Sequence, residues 1–63
     1  MICVKIMWFD RDKETGDPIY DNPRYKEFIE ETPEKCWSAV KDFKWNHDIL
    51  RHTIPEVVDI RTV

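Results

Sequence analysis

The sequence predicts a small α+β domain, and three observations support this fold class. The first residues form a short apolar run rich in β-branched and aromatic side chains, which is typical of a strand. The middle of the chain carries apolar residues at helical spacing, and the end alternates between apolar and charged residues. We therefore expect the order β–(short β)–α–α–β, a two- or three-stranded mixed sheet, and both helices on one face.

The first strand is predicted over residues 2–9, ICVKIMWF. Alternation along a strand places Trp8 on one face and Met7 and Phe9 on the other. Lys5 is the one polar residue of this run, and a strand that is apolar on both faces is usually covered on both. If both helices cover the Trp8 face, Met7 and Phe9 have no cover within one chain.

A charged turn and a first helix are expected next. Residues 10–17, DRDKETGD, contain Gly16 and predict a turn, and PIYD then returns as a short second strand. Asn22 followed by Pro23 is typical of a helix start. One face of this helix consists of Tyr25, Phe28, Ile29 and Thr32. A strand over residues 24–30 fits the pattern less well, because Phe28 and Ile29 would then point to opposite faces.

A second helix is predicted to begin at Thr32 and Pro33, where the start signal recurs. Its apolar stripe repeats every three or four residues and comprises Cys36, Val40, Phe43, His47, Leu50 and Ile54. We expect this helix to run from residue 33 to about residue 52 unless Asn46 breaks it, since the helix cannot continue through Pro55.

The final residues, VVDIRTV, alternate in the manner of a closing strand. Val58 and Ile60 are expected on its core face, and Asp59 and Arg61 on the other. The chain contains no repeat, low-complexity tract or linker, so residues 1–63 are predicted to form one domain.

Composition favours a small acidic cytoplasmic protein. The formal charge of −3 is too mild to indicate nucleic-acid binding by itself. The apolar start is shorter than the roughly 20 residues that span a bilayer, and it lacks the basic beginning of a signal peptide. Cys3 and Cys36 form no CxxC pair, and we expect them to be buried, reduced thiols. We expect no membrane association.

Motifs for catalysis or metal binding are weak. Residues 10–21 have acidic groups at calcium-loop offsets, but Thr15 stands where that loop needs glycine. His47 and His52 are five residues apart, too far around a helix to share a metal, and Ser38 has no histidine within one turn. We therefore expect no enzyme, no metal and no cofactor. The feature that would favour an enzyme is a pocket lined by Cys36, His47 and Asp48.

Trp45 and Ile49 fall on the polar side of the predicted second helix, four residues apart. The helix could end at Asn46 so that Trp45 turns into the core, it could continue so that the pair contacts another chain, or the pair could simply be exposed. Together with Met7 and Phe9, this pair gives more apolar surface than so few elements can hide.

The surplus of apolar surface predicts a non-catalytic protein–protein interaction module. It would act as a homodimer, or as a small adaptor or inhibitor of a larger protein, of the kind that phages or mobile elements encode. Its predicted partner-binding residues are Trp45, Ile49, Met7 and Phe9. The alternative is a nucleic-acid-binding regulator, because aromatic side chains stack on bases while cations meet phosphates. Its predicted residues are Lys41, Lys44, Arg51 and Trp45.

Overall fold

The fold was obtained as a computed structural model, which describes all 63 residues. It contains one three-stranded sheet with the first strand in the middle. β1 (Ile2–Trp8) lies between β2 (Arg24–Glu30) and β3 (Glu56–Thr62), and both neighbours pair with it in the antiparallel sense. One helix, α1 (Pro33–Trp45), connects β2 to the segment that precedes β3. The predicted α+β class is confirmed, but the sheet is wholly antiparallel and the prediction of two helices is wrong.

The first predicted helix is instead β2. Its residues pair with β1 along their whole length, from Ile2 opposite Glu30 to Trp8 opposite Arg24. Phe28 packs against the core, whereas Ile29 lies on the other face and is 51% exposed. The requirement that both residues be buried on one face was therefore mistaken. Pairing with β1 satisfies the backbone groups of β2 that face β1, and it outweighs the local helical spacing of the side chains.

The turn before β2 is confirmed, but the short second strand is not. Gly16 has a φ of 78°, and the segment after it forms a single bridge between Arg11 and Pro18. The Asp12 carboxylate accepts hydrogen bonds from the N–H groups of Glu14 and Thr15, at 2.8 and 3.1 Å. These two bonds close the turn and lower the pKa of Asp12.

α1 begins where the sequence predicts and ends earlier than residue 52. The Thr32 hydroxyl accepts a hydrogen bond from the Lys35 N–H at 3.3 Å, which caps the first turn. At the other end, both the backbone and the side-chain amide of Asn46 donate to the carbonyl of Asp42. A side chain that competes for a helix carbonyl favours termination. Of the alternatives left open, the helix therefore ends at Asn46 and does not continue to residue 52. Trp45 does not turn into the core, however, and is 88% exposed.

The core lies between α1 and the first two strands. Six residues are buried: Cys3, Val4, Ile6, Cys36, Val40 and Pro55. α1 packs on β1 and β2, and no Cα atom of α1 lies within 8 Å of one in β3, although Val57 of β3 packs against the core. Both cysteines are free and buried, as expected. The single 13-residue helix is wide enough to cover about two strands, so the third strand, β3, is left without a helix above it.

β3 differs from the prediction in which residues it buries. A register shift falls between Lys5 and Ile6, so Val57 pairs with Ile6 and packs against the core. Ile60 pairs with Val4 and therefore lies on the α1 side of the sheet, yet it is 54% exposed. Val58 is also exposed. The expectation that Val58 and Ile60 are core residues is wrong because no helix lies above β3.

Candidate protein-interaction surface

The two flanks of α1 have different surroundings. Ala39 and Asn46 lie on the flank toward β2, where they line a cleft together with Arg24 and Phe28. Trp37 is rotated by about 100° from the buried Cys36 in the opposite direction, on the flank toward β3. Because α1 lies over β1 and β2 and not over β3, Trp37 on this second flank remains exposed.

We name the flank toward β3 the open surface. It comprises Trp37, Lys41, Lys44 and Trp45 on α1 and Ile60 on β3. The four helical residues surround a shallow groove whose base is Val40. Trp45 is 88% exposed and Trp37 is 48% exposed. The two indoles line one groove, and Ile60 is exposed on the same side of the sheet as α1, so this part of the molecule exposes large apolar residues of the kind found at interaction sites.

The flank toward β2 contains a polar cluster that we name the histidine cleft (Asp10, Arg24, His47 and His52). The ring Nδ1 of His52 lies 2.9 Å from Oδ1 of Asp10. The Arg24 guanidinium donates twice to Oδ2 of Asp10, at 3.2 and 3.0 Å. These contacts fasten the segment after β1 to the segment before β3. Arg24 and His52 together lower the pKa of Asp10, with the Arg24 hydrogen bond as the larger cause.

His47 occupies the inner end of this cleft. Its ring lies among Trp8, Phe43 and His52, with centroids 5.5, 5.4 and 5.0 Å away. Burial lowers the pKa of His47, and the neighbouring His52 lowers it further. The Nε2 atom of His47 is buried and has no hydrogen-bond partner. This end of the cleft is therefore an aromatic cluster in which the neutral imidazole is favoured.

The chemical capacity of the histidine cleft is limited by its composition. Cys36 does not line it: the thiol donates instead to the carbonyl of Ile2 at 3.2 Å. The pocket of Cys36, His47 and Asp48 that would favour an enzyme is therefore not formed. No serine, cysteine, threonine or lysine is among the residues that line the cleft. No group of three histidine, cysteine, aspartate or glutamate side chains is placed to hold a metal ion.

The structure does not bring the four predicted partner-binding residues together. Trp45 ends α1, and Ile49 lies in the following turn, where its carbonyl accepts a hydrogen bond from Arg11. Met7 lies on the sheet face opposite α1 and pairs with Tyr25. Phe9 is half-buried and contacts Tyr20 edge-on, with ring centroids 4.9 Å apart. Tyr20 thus provides part of the cover that the sequence analysis found missing for Phe9.

The residues predicted for nucleic-acid binding are partly gathered. Lys41, Lys44 and Trp45 all line the groove of the open surface. Arg51 lies outside it, with its Nε 3.6 Å from a carboxylate oxygen of Asp48.

Sequence reasoning missed Trp37 as a site residue. Trp37 borders the apolar stripe of α1 on a helical wheel, and that position was the available signal. Its importance depends on which flank of the helix is uncovered, and this could not be known while a second helix was expected.

A scan of protein families, a search of curated proteins and a search of solved structures each returned no match to this chain. α1 is too short and too polar to cross a membrane, and it is the protein's one helix.

Proposed function

We propose that this protein is a non-catalytic protein-interaction module that binds a protein partner through the open surface. The partner is a second copy or a larger protein for which this chain is an adaptor or inhibitor. The observation that supports the proposal is the exposure of Trp37 and Trp45, which line one groove on the side of α1 away from β2. Tryptophan is among the residues most enriched where binding energy concentrates in interfaces.

The thin core supports the same proposal. Six buried residues among 63 give limited stabilisation, and small domains commonly gain stability from a partner subunit. A ligand that binds only the folded state adds to the free energy of unfolding. Covering Trp37, Trp45 and Ile60 would remove apolar area from water, which contributes about 25 cal/mol per Å².

A nucleic-acid-binding regulator is the second candidate, favoured by the position of Lys41 and Lys44 between the two indoles. Two cations contribute little to the electrostatic attraction of a nucleic acid, and the chain as a whole carries a charge of −3, which opposes it. Ile60, at the other side of the surface, suits a protein interface better than a phosphate backbone. We therefore place protein binding first.

The test compares the double variant Trp37→Ala/Trp45→Ala with the control Tyr25→Ala, an exposed aromatic on the opposite sheet face. Self-association is measured by sedimentation velocity. Binding to candidate partners is measured with purified components after affinity capture has named them. We expect one of these two interactions to be lost in the tryptophan variant and kept in the control.

The proposal is wrong if the folded protein stays monomeric and no captured partner binds in purified form. Retardation of DNA or RNA that weakens steeply with salt, and that disappears in Lys41→Ala/Lys44→Ala, would establish the second candidate instead.

A further inference from the structure

The outer edge of β3 has backbone groups that the sheet does not use. Met1 and Val63 exchange two hydrogen bonds, at 2.9 and 3.0 Å. In an antiparallel ladder, bonded and non-bonded pairs alternate along the strands. It follows that Arg61 bonds to Cys3, and that the N–H and C=O groups of Ile60 and Thr62 point away from β1.

The side chains along this edge have opposite charges two residues apart. Asp59 and Arg61 lie on the sheet face opposite α1, on either side of Ile60, and their side chains are 2.9 Å apart. Arg61 also reaches Glu27 across the sheet, at 3.4 Å. The register shift of β3 lies at Lys5 and Ile6, so the pairing from residue 59 to residue 62 is regular.

We infer that the chain forms a two-fold symmetric dimer in which β3 pairs antiparallel with β3 of a second copy, centred on Ile60. In this register Ile60 faces its own counterpart as a bonded pair. Asp59 then faces Arg61 of the second copy, and Arg61 faces its Asp59, as non-bonded pairs, whose side chains approach most closely. Shifting the centre to Asp59 or to Arg61 would bring like charges together. The inference rests on the proposed function, because it names the partner of the open surface.

The dimer would also cover part of the open surface. It joins two three-stranded sheets into one six-stranded sheet with both helices on the same face. Cys36 bonds to Ile2, so Trp37, the next residue, lies near the level of β1 where Val4 pairs with Ile60. The axis passes through that level, and Trp37 of each copy would approach the two Ile60 side chains there. Trp45 lies about 12 Å further along α1 and stays outside this contact.

The edge of β2 is less suited to such pairing. Lysine on an edge strand discourages pairing with another chain, and Lys26 lies near the middle of β2. The Arg24 side chain at the start of β2 is bound to Asp10.

The register is tested with two single charge reversals, Asp59→Arg and Arg61→Asp, and their equimolar mixture. Each variant alone places like charges opposite each other in both pairs, whereas the mixture restores both opposite-charge pairs. In sedimentation velocity, we expect wild type to dimerise, each variant to dimerise at least about tenfold more weakly, and the mixture to recover. Asp17→Arg, in the exposed turn, is the control for the change of net charge and should dimerise like wild type.

A second variant makes the test independent of charge. Counterparts of a bonded antiparallel pair have Cα atoms about 5.5 Å apart, within the range of a disulfide. Ile60→Cys should therefore form an inter-chain disulfide quickly under mild oxidation, while the control Tyr25→Cys on β2, which is similarly exposed and pairs with Met7, should not.

A wild type that stays monomeric, a mixture of folded variants that does not recover, or equal cross-linking of the two cysteine variants would overturn the inference. If a purified partner protein still bound wild type and not Trp37→Ala/Trp45→Ala, the interaction module would stand and only the second copy would be excluded as its partner.

Discussion

The two flanks of α1 differ because one helix covers only two of the three strands of the sheet. Toward β2, Trp8, Phe43 and His47 pack together, and Asp10 is bound by two partners. Toward β3, Trp37 and its neighbours face solvent. Both flanks border the same core, so the difference comes from where the helix lies and not from composition alone. The first flank therefore contributes packing and polar contacts to the fold, whereas the second leaves large apolar side chains exposed.

The connection after α1 supplies contacts to the first flank. It begins in the histidine cleft with His47 and then pairs with the residues that follow β1: His52 bridges Asp10, and the Thr53 hydroxyl accepts a hydrogen bond from the N–H of Phe9 at 2.8 Å. The polar contacts of this segment therefore close the histidine cleft.

The largest expected difference between the two regions is in stability. Ile6 is fully buried below α1, whereas Ile60 lies on the same sheet face without cover. Ile6→Ala should lower the free energy of unfolding by about 2–5 kcal/mol, enough to unfold much of a domain this small. Ile60→Ala should change it by no more than about 0.5 kcal/mol. Urea unfolding at a concentration low enough for monomers measures both, and equal losses would contradict the comparison.

As the pH is lowered from neutral, the first loss in the free energy of unfolding should come from the histidine cleft. The pKa of His47 is lowered from its ordinary value of 6.5, mainly by burial, so below that pH the unfolded chain binds a proton that the folded chain resists. The free energy of unfolding should therefore fall as the pH drops through 6.5 and level off below the folded pKa. Asp10, whose pKa is also lowered, should cause a second loss below its ordinary value of 3.8.

His47→Gln separates these two pH ranges. The variant should lose the pH dependence near 6.5 and keep the loss below 3.8. Urea unfolding at a series of pH values provides the measurement. An unchanged slope near neutral pH in the variant would show that His47 is not its source.

The smallest expected effect on stability is at the open surface. Trp45 is exposed at the end of α1, so Trp45→Ala should change the free energy of unfolding by less than about 0.5 kcal/mol. Its removal should shift the mean tryptophan emission of the monomer to shorter wavelength, because Trp8, which packs against Phe43, remains. A clear loss of stability, or an unshifted emission, would place the Trp45 indole in the core.

Several elements could be predicted from local signals because their side-chain patterns allow one structure. β1 is apolar throughout and too short for a helix, the Thr32–Pro33 start of α1 matches its cap, and Asn46 was recognised as a possible end. β2 could not be predicted this way. Phe28 and Ile29 have helical spacing, and only pairing with β1, a contact distant in sequence, makes that segment a strand.

The sequence indicated that large apolar side chains would be exposed, but it did not indicate correctly which residues lie together. The surplus of apolar side chains was visible, and Trp45 is exposed. Met7 and Phe9 lie elsewhere in the structure, since Phe9 is covered by Tyr20 and Met7 faces away from α1. Trp37 and Ile60 were missed because they are exposed only when no second helix lies above β3. The local sequence pattern does not indicate whether such a helix is present.

The central claim is that the edge of β3, and not that of β2, is where another chain binds. Residue-resolved hydrogen exchange over a range of protein concentrations tests it most directly. The account predicts that the Ile60 amide becomes more protected as concentration rises, while the outward amides of β2 exchange at a constant rate. An Ile60 amide that exchanges equally fast at every concentration, or protection that grows along β2 instead, would contradict it.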